Sequence, residues 1–167
     1  MKFKYSDATL EDLPKIVEIY NSTVSSRVVT ADTEPVTIEG RINWFNEHNS
    51  KSRPLWMVRN FNSEVVGWVS FQSFYGRPAY AATVEVSIYL DTAMRGKGYG
   101  KEILQYAIDT AGQLGIKTLL GFIFEHNLPS LKLFENLGFQ EWASLPNIAL
   151  LDGVERGLKI LGKRVAQ

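Results

Sequence analysis

Arg95-Gly96-Lys97-Gly98-Tyr99-Gly100 lies between a strand-like run, Thr83–Leu90, and an apolar-periodic helix that begins near Gly98. Glycines on alternate positions let the backbone turn tightly and come close to a ligand. The helix behind them opens with unpaired N–H groups and the positive end of its dipole, which suits an anion such as a pyrophosphate. Arg95, Lys97 and Lys101 add cations around that point. The stretch is not a Walker A loop: Gly100-Lys101 is followed by Glu102, and Arg95 stands in the first glycine's place. Nor is it a Rossmann fingerprint, which needs a third glycine where Lys101 stands and belongs near the start of a βαβ unit. A Gly-rich turn entering a helix, with no ligand, uses the same residues.

A second candidate lies just upstream. Thr83, Glu85, Ser87 and Tyr89 alternate with Val84, Val86, Ile88 and Leu90, so the two sets occupy opposite faces of a strand. A glutamate in mid-strand is disfavoured. It is tolerated on a solvated edge, or where it faces a cleft or partner. In a cleft, desolvation would lift its titration from about 4.3 toward neutrality, which suits a general base. The third candidate is Glu125-His126-Asn127-Leu128-Pro129-Ser130, with Asn127 at a strand-to-helix junction and Ser130 in the first turn. Cap and turn chemistry explains both residues without a ligand.

These residues need a scaffold. A strand is expected at Phe3–Asp7 and a helix at Thr9–Val24, where Thr9 and Asp12 form an acidic variant of the capping box. A second helix covers Thr37–Asn49. Strands at Leu55–Asn60 and Val65–Phe74 form a hairpin around Asn62-Ser63, and Tyr75–Tyr80 is a Gly/Pro loop. After Thr83–Leu90 come the Gly loop and a helix to about Leu114, ended by Gly112 and Gly115. A strand at Lys117–Phe124, a helix at Leu128–Leu137 stopped by Gly138, and strands near Gln140–Leu150 and Val154–Leu161 around an Asp152-Gly153 turn complete the order. Hairpins and crossover helices together predict a mixed α/β (α+β) sheet with helices on both faces.

The chain has 167 residues, the size of one domain, with no cysteine and a formal net charge of zero. Disulfides, cysteine metal sites and a cysteine nucleophile are excluded. Two histidines, His48 and His126, make a histidine metal site improbable. No basic stripe argues for nucleic acid or a membrane surface, and no long apolar span or signal region is visible. A soluble cytoplasmic protein without a metal is expected.

Arg95-x-x-Gly98-x-Gly100, mid-strand Glu85, and Asn127-x-x-Ser130 closing on Leu137-Gly138-Phe139 together resemble the GNAT N-acetyltransferases. The order of elements is also similar to that fold, a mixed sheet of about six to seven strands flanked by four helices, over residues 1–167 as one domain. Within the family the resemblance is to phosphinothricin and methionine sulfoximine acetyltransferases. It is carried by Ile19-Tyr20-Asn21, Asp32-Thr33-Glu34-Pro35-Val36-Thr37, Gly67-Trp68-Val69-Ser70, Arg77-Pro78-Ala79-Tyr80 and Thr83–Tyr89.

The resemblance implies direct transfer of an acetyl group from acetyl-CoA to a primary amine in a ternary complex. It implies that Ile88, Tyr89 and Leu90 pair with the pantetheine like an added strand. Arg95, Gly96, Lys97, Gly98, Tyr99, Gly100 and Lys101 would cradle the pyrophosphate, with Asn127, and more weakly Asn136, as further donor contacts. Glu85 would accept the ammonium proton, directly or through water, and a backbone N–H near Tyr89 would stabilise the oxyanion. Tyr75, Gly76 and Arg77, with Glu85, Val86 and Ser87, would contact the acceptor. Arg77 offers a two-pronged hydrogen bond to a carboxylate, although a solvated loop arginine reads equally well. Phe74, Tyr75, Tyr80 and Trp68 are candidate pocket walls, or core, or a dimer surface. Arg27 and Asp32 follow the first helix and are minor candidates.

One departure stands out. Phe134 occupies the place where many of these enzymes carry a tyrosine that protonates the leaving thiolate. Tyr89 or Tyr99 are possible substitutes, or none is needed, since a thiol of pKa about 8.5 leaves tolerably unassisted. His126 is more simply a surface residue. Other amine acceptors (a protein N-terminus, a polyamine, an aminoglycoside) and a non-catalytic acyl-CoA module are the rival readings. A homodimer is implied by the resemblance alone.

Overall fold

The structure is a computed structural model and describes residues 2–166. Strands β1 (Lys4–Asp7), β2 (Leu55–Arg59), β3 (Val65–Ser73), β4 (Thr83–Leu90), β5 (Thr118–Phe124), β6 (Gln140–Leu151) and β7 (Val154–Arg164) form one sheet in the order β1-β2-β3-β4-β5-β7-β6. Helices α1 (Leu13–Val24) and α2 (Ile38–Asn46) cover one face; α3 (Tyr99–Ala111) and α4 (Leu128–Asn136) cover the other.

Alternation along β4 decides which residues meet which layer. Val84 and Val86 are buried with Ile103, Leu104 and Ala107 of α3 and with Phe134 of α4. On the opposite face, Tyr89 packs against the smaller cluster of Ile16 and Ile19 from α1, Leu55 and Met57 from β2, and Trp68 from β3. Glu85 and Ser87 share that second face.

All strand pairs are antiparallel except β4–β5, which is parallel and short. Only Thr83–Glu85 pair with Thr118–Leu120; beyond Glu85 the two strands part. On its other edge β4 stays paired with β3 from Val84 to Leu90. The sheet therefore opens in its middle, next to Glu85.

The elements expected from the sequence are all present, with differences at their ends. The first helix opens with a 3-10 turn, Leu10–Asp12, because Pro14 has no N–H and fits only the start of the α-helix. Thr9 N–H donates to Asp12 Oδ2 at 2.9 Å, as the capping box required. The second helix stops at Asn46 rather than Asn49: Asn49 Oδ1 accepts from the N–H groups of Lys51 and Ser52, a turn that competes with helix. The last strand runs on to Arg164. Its hairpin turns through Asp152 (φ 51°) and Gly153 (φ 78°), the signs a two-residue hairpin loop needs.

Candidate functional site

The parted strands β4 and β5 leave a slot walled by Val86, Ile88, Gly121, Ile123, Asn127 and Phe134. Phe134 packs so closely on Gly121 that an added Cβ there would be 2.5 Å from its ring, which would have to shift. Asn127 is 6 % exposed and caps α4, its Oδ1 accepting from Ser130 N–H at 3.3 Å. Its amide NH2 has no protein acceptor among the described residues, so it can bind a ligand in the slot. Asn136 is exposed, does not line the slot, and lies at the far end of α4.

Past the end of β4, Gly96 (φ 72°) and Gly98 (φ 75°) take left-handed conformations closed to most side chains, and Gly98 caps α3. Among the described residues, the N–H groups of Gly96, Lys97 and Gly98 meet no protein acceptor. They add to the free donors of the α3 opening, which is the arrangement an anion needs. The cations divide. Arg95 donates to Leu90 O at 3.1 Å and to Ser22 Oγ at 2.6 Å, so its guanidinium braces the loop to α1 instead of standing free. Lys97 is exposed and lies 6.0 Å from the Tyr99 ring. Lys101 lines an outer groove with Lys2, Tyr5 and Glu102. Tyr99 packs edge-on against Phe3 at 5.0 Å, which commits its ring to the core.

On the α1–α2 face a small cavity is walled by Tyr20, Arg41, Trp44, Trp68, Ser87 and Tyr89. Trp68 stacks on Tyr89 at 4.5 Å, and Tyr20 tilts against Tyr89 at 5.1 Å. Arg41 lies 4.6 Å above the Tyr20 ring and pairs with Asp32 at 2.9 Å, and Asp32 also accepts from the Tyr20 hydroxyl. Burial pushes the Tyr89 phenol well above its usual range. Ser87 and Tyr89 line both the cavity and the slot, so the two spaces share a wall on β4.

Glu85 lines neither space but lies two residues from Ser87 on the same face of β4. It faces Gln72 on β3 and Leu120 on β5 and is half-buried. Burial raises its carboxyl above the ordinary range, and the Ser87 hydroxyl, donating to Oε1 at 3.5 Å, partly opposes that rise. Tyr75, Gly76 and Arg77 occupy the β3–β4 loop at the Glu85 end of the hairpin, where Phe74 N–H donates to Thr83 O at 3.3 Å. Phe74, Tyr75 and Tyr80 cluster there, with ring centroids 5.6 Å apart for Phe74 and Tyr80, and Phe74 also faces Phe122 at 6.4 Å. Trp68 is in the cavity; these three are not. Arg77 is exposed.

Two minor candidates have structural work instead. Arg27 pairs with Asp152 at 2.8 Å and donates to Thr33 O, bracing the loop after α1 against the β6–β7 turn. His126 is not a surface residue. Its Nε2–H donates to Arg27 O at 2.7 Å, and its Nδ1 is buried without a partner. Nothing local in the sequence marks Tyr20, Arg41 and Trp44 as walls of a cavity. Arg41 and Trp44 fall three apart on α2, a spacing that puts them on one face, but nothing local says that face closes over Trp68.

A sequence profile described as an acetyltransferase (GNAT) domain matches residues 5–140. The chain belongs to the GNAT acetyltransferase family. It is 56 % identical over 155 residues to the Bacillus subtilis protein YwnH, provisionally named a phosphinothricin acetyltransferase, covering 93 % of this chain and 94 % of the relative. It is 30 % identical over 148 residues to the L-methionine sulfoximine/L-methionine sulfone acetyltransferase of Pseudomonas aeruginosa, covering 89 % and 86 %. The crystal structure of a GNAT phosphinothricin acetyltransferase from Sinorhizobium meliloti in complex with acetyl-CoA superposes with a TM-score of 0.90 at 26 % identity, over 98 % of this chain and 89 % of that one. This GNAT protein is thus an acetyl-CoA-dependent N-acetyltransferase with the family's seven-stranded mixed sheet and four helices. Among the described residues, no helix is long and apolar enough to cross a membrane.

Proposed function

We propose that this GNAT enzyme acetylates the primary amine of a small amino-acid-like acceptor, of the methionine sulfoximine, methionine sulfone or phosphinothricin kind, by direct transfer in a ternary complex. The observation that carries the reading is that slot and aromatic cavity share Ser87 and Tyr89 as their wall, with a half-buried carboxylate in contact with Ser87. The relatives' substrates support the acceptor class.

Acetyl-CoA lies with its pantetheine in the slot, along the unpaired edge of Ile88-Tyr89-Leu90 and against Asn127. Its pyrophosphate rests on the N–H groups from Gly96 to Lys101. The acceptor enters from the α1–α2 face. Glu85 takes a proton from its ammonium, because only the neutral amine has a lone pair. Nitrogen bonds to the thioester carbon, and the tetrahedral oxyanion meets a backbone N–H near Tyr89. As the C–S bond breaks, the thiolate leaves without a tyrosine's help, Phe134 having no proton to give, and takes up the proton shed by the new amide. Glu85 returns its proton to solvent.

Two arginines compete for the acceptor's carboxylate. Arg77 is close to Glu85 along the chain, and Arg41 is already in the cavity wall. Free-CoA release with methionine sulfoximine, methionine sulfone, phosphinothricin, ordinary amino acids, spermidine and a short peptide tests the class. Turnover confined to the first three is expected; turnover with spermidine or peptide alone overturns it. Arg77→Gln and Arg41→Gln then identify the anchor as the variant whose KM for the acceptor rises at least tenfold, an estimate of the order expected for a lost charge-assisted pair. The enzyme works as a cytoplasmic homodimer in this reading. Ile148, Leu150 and Val154, exposed at the β6–β7 end of the sheet, are the apolar surface a second copy would cover. A monomer in sedimentation equilibrium would remove that element.

A further inference from the structure

Ser70 is a fully buried polar side chain whose presence the proposed chemistry does not explain. It lies in the middle of β3 with no solvent exposure, between Val69 and Phe71, both also fully buried. Its hydroxyl meets no hydrogen-bond partner among the described residues. A wholly buried, unsatisfied hydroxyl is costly, and native cores keep few of them. The β3–β4 register sets Ser70 directly opposite Ser87 and Gln72 directly opposite Glu85. Opposed residues in an antiparallel pair share a face, with Cβ atoms about 4.5–5.5 Å apart. Two serine hydroxyls at that spacing reach one another by rotation about χ1, or share one bound water. Ser87 in turn reaches Glu85 Oε1, at the 3.5 Å limit of a hydrogen bond.

We propose that Ser70 and Ser87 form a hydroxyl pair that positions the Glu85 carboxylate for proton abstraction, Ser70 acting from beneath the site without touching the acceptor. Ser70 donates to Ser87, directly or through water, and Ser87 donates to Glu85. The donated hydrogen bond fixes one carboxylate oxygen and leaves the other for the ammonium. The pair holds the charged form of Glu85 and neither gains nor loses a proton over the cycle. This rests on the reading of Glu85 as the base. The groups around that carboxylate are otherwise uncharged at close range: Gln72 on β3 and Leu120 on β5. Tyr89 on β4, Tyr20 on α1, Arg41 on α2 and Asp32 in the α1–α2 loop line or edge the cavity beyond.

The test compares Ser70→Ala, Ser87→Ala, Ser70→Thr and Glu85→Gln in the full-length enzyme. It follows kcat/KM for the acceptor against pH, the Kd for acetyl-CoA, and Tm. Ser87→Ala removes the donor to the carboxylate and favours its protonated form; Ser70→Ala leaves Ser87 unpolarised and free to turn away, which weakens the same bond. The acid limb of the Ser70→Ala profile should therefore move to higher pH by roughly half a unit to one unit, equivalent to about a three- to tenfold loss on that limb. Acetyl-CoA affinity should be unchanged, and Ser70→Thr, which keeps the hydroxyl, should restore the profile. Should Ser70→Ala fail to fold, Ser70→Cys decides, since a thiol keeps nearly the same shape and is a far weaker donor. A wild-type acid limb in either alanine variant, with Glu85→Gln inactive, overturns the hydroxyl pair and leaves the base standing. Full turnover in Glu85→Gln overturns both.

Discussion

As the proposed base, Glu85 would serve chemistry and tax the fold together. Its carboxyl titrates higher folded than unfolded because burial penalises the charge. Between the unfolded value of about 4.3 and the higher folded value, the native state binds more protons than the unfolded one, so stability falls as pH rises through that interval. Glu85→Gln removes the titration and keeps the shape. At pH above the interval the variant should have a higher Tm than wild type, and below pH about 4 the advantage should vanish. Turnover should drop by about 10²–10⁴-fold, the usual range for a lost general base. Thermal scans from pH 4 to 8 alongside CoA-release rates check both halves; an equal or lower Tm at pH 8 would mean the charge is better solvated than its position implies.

At the scale of elements, β5 and α4 determine the width of the slot. Gly121 has no Cβ, and the Phe134 ring fills that space. Gly121→Ala should push the ring toward the slot, destabilise the fold by about 1–3 kcal/mol as overpacking usually does, and weaken acetyl-CoA binding. A Kd unchanged beside a lower Tm would show that the ring yields toward the core instead. Gly67 is a stricter case: a Cβ there would be 2.2 Å from Tyr89 O, a backbone atom that cannot swing away. These glycines mark the limit of what could be read from the chain. The Gly loop, the alternation around Glu85 and the cap at Asn127 are local patterns, and each gave its element nearly to the residue. The cavity is not local. Tyr20, Arg41 and Trp44 look like ordinary helix residues until α1 and α2 are laid over Trp68 and Tyr89. Arg95 reads locally as a phosphate cation, and its hydrogen bond to Ser22, 73 residues away, is beyond any local pattern. Ser70 reads as one more strand residue until the register places it opposite Ser87.

On the scale of the whole molecule, the decisive feature is that β4 and β5 are bonded for three residues and then part. Half of the sheet (β1 to β4) and the rest (β5, β7 and β6) are joined by that short seam, with helices on either side. In water the amides bordering the gap have only solvent to bind, which makes them the part of the sheet best placed to exchange with deuterium. A ligand that binds only the folded state raises stability by an amount that grows with its concentration over Kd, about 2.7 kcal/mol at one hundredfold excess. Acetyl-CoA should therefore slow exchange at Ile88 and Leu90 and raise Tm, whereas an acceptor added alone should leave those amides as they were. Equal exchange with and without acetyl-CoA would place the pantetheine elsewhere. If the footprint is as expected, the lifetime of this protein against heat and proteases is tied to the supply of its acetyl donor, and a cell short of that donor would hold a more perishable enzyme.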